Sequence, residues 1–157
     1  AGGCADAAAL LLARGASPAL REPVENRTPA QLAGYQGHGR VMEVLLEAGA
    51  PPDGALLATV QEGLGRFRGD AAKTAGCVTA AEALLRTGVP LEERTTGFQA
   101  GRTALMCAAQ WGSMHLVKAL LSAGADKDAA DEGGDNAEAW ARACDNEEIA
   151  SFLQTYA

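Results

Sequence analysis

Between Gly101 and Ala125 the chain spells two short helices set back to back, and the same spelling returns along its length. Thr103 precedes the first helix and is expected to act as its N-cap, because its hydroxyl can accept a hydrogen bond from an otherwise orphaned backbone N–H. Leu105 and Ala108-Ala109 give that helix a narrow inner face, and Gly112 ends it where a positive φ is needed. Ser113 is expected to cap a second helix, whose Leu116, Val117, Leu120 and Leu121 fall on one stripe at helical spacing, with Gly124 as its stop. A helix pair of this size cannot bury its apolar face alone, so copies must stack for any of them to be stable. Residues Arg27 to Ala50 keep the same order: Thr28-Pro29, Leu32-Ala33, Gly37-His38, Val41-Met42, Leu45-Leu46 and Gly49-Ala50. The closing glycines Gly15, Gly49, Gly88 and Gly124 are 34, 39 and 36 positions apart.

This order resembles the ankyrin repeat, whose pattern is Thr-Pro-Leu-His, Ala-Ala, Gly-His, a β-branched pair, Leu-Leu and Gly-Ala, with a period near 33. The residues that carry the likeness are Thr103, Leu105, Ala108-Ala109, Gly112, Leu116-Val117, Leu120-Leu121 and Gly124-Ala125, together with their counterparts between Arg27 and Ala50. The resemblance implies an all-α ankyrin-type helical solenoid of stacked helix-turn-helix repeats joined by extended finger loops, four to five repeats in all. The expected organisation is one domain over 1–157. It divides into a partial first repeat and finger (1–26), a second repeat (27–54), an irregular third repeat with an insertion (55–101), a fourth (102–135) and a C-terminal capping repeat (136–157).

The first repeat is expected to show only its second helix, from about Ala5 to Arg14, leaving an apolar end for absent upstream sequence or a partner to cover. Pro18 and Pro23 exclude helix from the finger that follows. In the third repeat a helix begins at Ala55, and Gly63-Leu64-Gly65-Arg66-Phe67-Arg68-Gly69 reads as a flexible interruption. Register returns at Gly76-Cys77, so the ordinary second helix is expected over Val78 to Thr87, and the insertion amounts to about a turn and a half over the family period. In the capping repeat Asn136 to Cys144 form the first helix. Asp145-Asn146-Glu147-Glu148 cap the second, with acids at its positive end.

Composition narrows the function. Apolar residues make up 48% but aromatics only 4%, so the core is built from Ala and Leu, as closely packed thin helices require. A net charge of −7 argues against nucleic acid as a partner. The longest purely apolar run, Ala7 to Ala13, is too short to cross a bilayer. Cys4, Cys77, Cys107 and Cys144 lack metal-ligand spacing and read as small packed thiols. An intracellular, cytoplasmic location follows, with an organelle left open because localisation signals could precede Ala1.

The glycine-rich stretch at Gly63 lacks the preceding strand that a phosphate loop needs. The acidic stretch from Asp126 to Asp135 has Ala130, Asp131 and Ala137 where a calcium loop needs an acid, a glycine and a glutamate. The family pattern Asp-x-x-Gly-x-Thr accounts for Asp131, Gly134 and Asn136 without a metal. By its family position the ring of His38 is expected to bond neighbouring backbone, and neither it nor His115 completes a catalytic triad. No cofactor, metal or catalytic group is expected.

The expected function is a non-catalytic protein–protein interaction module, an adaptor or scaffold that binds a protein partner through the concave face and the fingers. The alternative is a permanently integrated structural or regulatory subunit of a larger assembly or enzyme, docked through the open first-repeat end and the insertion around Phe67. Carried over by position from the resemblance, the partner-facing residues are Val24, Glu25, Arg27, Tyr35 and Gln36 in the second repeat and Gln99, Ala100, Arg102, Gln110 and Trp111 in the fourth. Glu132, Gly133 and Asp135 join them in the cap. Arg66, Phe67 and Arg68, with Lys73 nearby, add a locally basic spot suited to an acidic partner. Tyr35 and Trp111 stand out because aromatic residues and arginine serve most often as interface anchors.

Overall fold

The computed structural model describes residues 3–67, 69–96 and 101–156, and every regular element among them is helical. Contacts gather these residues into two units that meet in the chain between Val89 and Pro90.

The first unit holds α1 (Gly3–Ala13), α2 (Pro29–Tyr35) and α3 (Gly39–Glu47). A long helix follows that runs through α4 (Ala55–Leu57), a π-helical stretch (Ala58–Gly63) and α5 (Leu64–Arg66), and the unit ends with α6 (Ala71–Arg86). Helix α2 starts where the sequence says it should. Thr28 Oγ1 accepts from Gln31 N at 3.2 Å while Gln31 Oε1 accepts from Thr28 N at 2.9 Å, a reciprocal capping box with Pro29 in the first turn. Gln31 Nε2 also donates to Asp53 O at 2.9 Å, tying α2 to the next finger. The turn after α3 closes through Gly49 N to Leu46 O and Ala50 N to Leu45 O, the double bond pattern of a left-handed helix stop.

The second unit holds α7 (Ala104–Gln110), α8 (Met114–Ser122), α9 (Ala137–Ala143) and α10 (Glu147–Thr155). Thr103 caps α7 by accepting from Met106 N, and Asn136 caps α9 by accepting from Ala139 N at 3.0 Å. Ser113 precedes α8 but gives no side-chain cap, so its expected role does not hold, and His38 gives none to α3. Between α9 and α10 the left-handed position that Gly37 and Gly112 occupy elsewhere is filled by Asp145 at φ 59°. The core of this unit is Leu105, Met106, Leu116, Val117 and Leu120, all at most 1% exposed, with Ile149 and Leu153 at 3%.

The third repeat departs from its sequence reading in two places. Gly63 to Arg66 do not interrupt the helix but continue it, and α6 begins at Ala71, well before Val78. Magnitudes explain both. Each glycine inside a helix costs about 1 kcal/mol, whereas burying Leu56, Val60 and Leu64 to 4% exposure or less contributes about 1.5–3 kcal/mol apiece. Residues spaced by four drift about 40° per step around an α-helix. The wider π turn, closed by Leu64 N donating to Thr59 O, removes that drift and keeps the three on one face.

Helix α6 starts early because Asp70 Oδ1 accepts from Lys73 N at 3.0 Å, and it survives Gly76 because that position must have no side chain. A Cβ there would stand 1.9 Å from Gly37 O, and one at Gly34 would stand 2.0 Å from Thr59 Oγ1. These two glycines let the second and third repeats approach backbone to backbone, with Cys77 fully buried beneath. Gly76→Ala is therefore expected to destabilise the protein by roughly 2 kcal/mol or more through overpacking, outweighing a propensity gain of about 1 kcal/mol. Urea unfolding would show it as a lowered midpoint, and an unchanged midpoint would mean that the helices can part without cost.

Candidate protein-binding surface

In the first unit the finger before α2 is knotted around one carboxylate. Glu22 accepts from Val24 N at 2.7 Å, Glu25 N at 2.6 Å and Arg27 N at 3.3 Å. The bond from Val24 N is the main reason its carboxyl is held below the usual range, despite an opposing penalty from burial. That knot leaves Val24 at the tip, 87% exposed, beside the exposed Glu25.

Arg27 does not face outward as expected. It pairs with Glu25 at 2.6 Å and with Glu62 of the π-helical stretch at 2.7 Å, and its guanidinium lies 4.4 Å from the centre of the Tyr35 ring. Arg66 covers the same ring at 5.0 Å and donates from Nη1 to the Tyr35 hydroxyl. Tyr35 is thus held by two guanidinium groups, one internally paired and one exposed. Phe67, half-buried, lies 5.9 Å from the Arg66 guanidinium and 5.4 Å from Lys73 Nζ. Lys73 also donates to Gln36 O at 3.0 Å, which occupies the end of α2. Arg68 lies outside the described residues.

In the second unit Arg102 takes the same register as Arg27, and it too is a clamp. It is 3% exposed, donates to Gln110 Oε1 at 2.5 Å and lies 4.1 Å from the centre of the Trp140 ring. Trp140 in turn donates from Nε1 to Asp131 Oδ2 at 2.9 Å. Asp131 also accepts from Gly133 N at 2.9 Å and Asp135 N at 3.0 Å. Burial pushes its carboxyl up, but these donors and the nearby Arg102 charge outweigh it and hold the pKa below the ordinary value. Arg102 and Gln110 therefore leave the set of free residues for a physical reason, since each satisfies the other.

Glu132 and Asp135 remain exposed on the finger, whereas Trp111 is half-buried with its indole nitrogen enclosed and unpaired. Gln99 and Ala100 lie outside the described residues. Sequence reasoning passed over Glu62, Trp140 and Asn146, although Arg before Thr at both 27 and 102 was a usable signal that a repeated residue serves the fold.

The thiols divide by burial. Cys77 and Cys107 are enclosed, and loss of solvation raises their pKa to about 11 and about 12, with Lys73 and Arg102 opposing weakly. Cys4 is exposed on α1, which corrects its reading as a packed thiol. Among the described residues no cluster of His, Cys, Asp and Glu could hold a metal ion, and no helix is long and apolar enough to cross a membrane.

Two outcomes follow. At about pH 8, iodoacetamide should modify Cys4 readily while Cys77 and Cys107, still neutral thiols, react only as fast as the protein opens; mass spectrometry of the native protein decides this. Arg102→Lys keeps the charge but loses the planar stack on Trp140, and a loss of about 1–2 kcal/mol in urea unfolding is expected. An unchanged midpoint would show that the stack contributes nothing.

No curated protein matches the chain. The family model for ankyrin repeats (3 copies) matches residues 69–157, from the turn before α6 to the chain's last residue. Proteins of this kind are generally protein–protein interaction modules and typically non-catalytic. With two families of evidence agreeing, the glycine-stopped helix pairs and the matched pattern, the chain belongs to the ankyrin repeats.

Proposed function

We propose that this chain is a non-catalytic adaptor or scaffold that binds a protein partner through its finger loops and first helices. The observation that carries the reading is in the first unit. Val24 stands almost fully exposed on a finger that Glu22 holds rigid, and the same finger runs through the Glu25–Arg27 pair to Tyr35. An apolar side chain at 87% exposure costs solvation, and a preorganised tip with an aromatic behind it loses little conformational entropy on association. In this reading Val24, Glu25, Tyr35 and Gln36 touch the partner, with Trp111, Glu132 and Asp135 contributing from the second unit. Arg27 and Arg102 serve by holding their neighbours.

A second reading, a permanently integrated subunit of a larger assembly or enzyme, draws on α1. Counting back four positions from each closing glycine gives Leu11, Leu45, Leu84 and Leu120. The last three are at most 5% exposed, whereas Leu11 is 61% exposed and Leu10 56%. Among the described residues α1 lacks the first-helix neighbour that the other second helices have. An apolar groove of about 340 Å³, lined by Leu11, Leu12, Pro18, Leu32 and Val41, opens beside it. Burial there would be insensitive to salt, unlike contacts made by charged fingers.

The test is recovery of partners from the protein's own cell extract at moderate and high salt. Val24→Asp and Tyr35→Ala are expected to lower recovery about tenfold or more, the scale of interface anchors, while Leu11→Asp leaves it unchanged. Salt-resistant recovery lost only in Leu11→Asp would favour the integrated subunit and overturn the finger-loop reading.

A further inference from the structure

From the side chains around Phe67 we infer that the patch formed by Arg66, Phe67 and Lys73 is a docking site for an acidic segment of a partner protein, one presenting carboxylates next to an apolar side chain. The inference rests on the reading that the chain binds protein.

In a chain of net charge −7 three described cations of the first unit pair with carboxylates. Arg27 has Glu25 and Glu62, and Glu43 serves both Arg40 and Arg86. Arg66 and Lys73 have no such pair and, unlike Arg21, which donates to Asn26 O, both lie over one aromatic ring. The Arg66 guanidinium donates to the Tyr35 hydroxyl and Lys73 Nζ donates to Gln36 O, both neutral acceptors. Neither has a carboxylate partner among the described residues. Asp70, the acid nearest in sequence to Lys73, spends its Oδ1 on the backbone N–H of Lys73, and Glu62, four positions before Arg66, pairs with Arg27. Two positive charges with unmet demand therefore lie within 6 Å of one half-buried aromatic ring, at 5.9 and 5.4 Å from the centre of Phe67.

The geometry also fixes these cations before any partner arrives. Arg66 is stacked over Tyr35 and bonded to its hydroxyl, so the rotamer entropy normally lost when an arginine pairs is already spent. Arg66 ends the helix that the π turn widens, one turn after Glu62, which pairs with Arg27, and Lys73 lies in the first turn of α6. A carboxylate approaching Arg66 or Lys73 meets a preset donor, and an apolar neighbour can rest on the exposed part of Phe67. Elsewhere the acidic surface repels such a segment, which confines it to this place.

The test uses the full chain and a fluorescein-labelled twelve-residue peptide of glutamate and leucine, with a lysine–leucine peptide as its counterpart, followed by fluorescence anisotropy. The glutamate peptide should bind at about 20 mM salt and weaken on the order of tenfold by about 200 mM. Arg66→Gln should weaken it about threefold to fivefold, the scale of one exposed ion pair, whereas Arg40→Gln should not. Because Arg66 is exposed, its replacement leaves the fold intact, which an unchanged circular dichroism spectrum would verify. Equal binding of the lysine peptide, no binding of the glutamate peptide, or binding indifferent to Arg66→Gln overturns the inference. If the glutamate peptide fails while Val24→Asp and Tyr35→Ala still abolish partner recovery, only the acidic class is wrong; if those variants also change nothing, the finger-loop reading falls with it.

Discussion

The carbonyls at the ends of the first helices α2 and α7 take donors from the next repeat as well as from their own turns. Asn146, at the head of α10, donates from Nδ2 to Ala109 O at 2.8 Å and Gln110 O at 2.9 Å. Lys73, in the first turn of α6, donates to Gln36 O, and Cys77 leans its thiol toward Gly34 O at 3.9 Å. Four orphan carbonyls at a helix end are a liability of several kcal/mol when buried. At α2 and α7 the neighbouring repeat completes this set, which ties the end of each of these two helices to stacking. The close approach this demands explains why small residues, Ala30, Ala33 and Gly34 in α2 and Ala108 and Ala109 in α7, line the first helices.

Stacking that tight has a consequence for function. First helices of seven residues, such as α2, α7 and α9, cannot hold themselves in water. Their positions are set by neighbours, and the fingers that precede them are closed by single acids, Glu22 and Asp131, each accepting several backbone N–H groups. The outer surface is therefore carried on segments with few conformations to lose, although the chain has little aromatic residue to build a conventional core. A soft core of alanine and leucine and a rigid rim are two results of the same close packing.

Much of this was legible because glycine and threonine punctuate the chain for stereochemical reasons. Gly15, Gly49, Gly88 and Gly124 all take positive φ where the sequence says a helix must stop, and Thr28 and Thr103 cap as expected. Gly63, Gly65 and Gly76 read as punctuation in the same way, and the third repeat departs from that reading because all three lie inside helical stretches. In that repeat Gly76 is a contact, made necessary by Gly37 O lying where a Cβ would go, and no local pattern distinguishes a glycine that stops a helix from one that lets a neighbour in. The surroundings of Arg27 and Arg102 are hidden from the sequence for a related reason. A long cation beside a finger looks free in sequence, and only the fold reveals Glu62 and Trp140, distant in the chain, as what holds it.

Those two arginines also separate what the fold uses from what it leaves over. They share one register, precede the same threonine and are both consumed by clamping a first helix, so recurrence at that position answers to the fold. Tyr35 and Trp111 end their helices in comparable places, yet one is held between guanidinium groups and the other has its indole nitrogen enclosed without an acceptor. Among the described residues Arg66 and Phe67 have no counterpart in another repeat, and the π turn that precedes them occurs in the third alone. A stacked array must keep its repeated residues to remain an array, which leaves its differences free to be selected by something outside it. In this chain the differences gather at one finger tip and one widened helix, and both lie on the first unit.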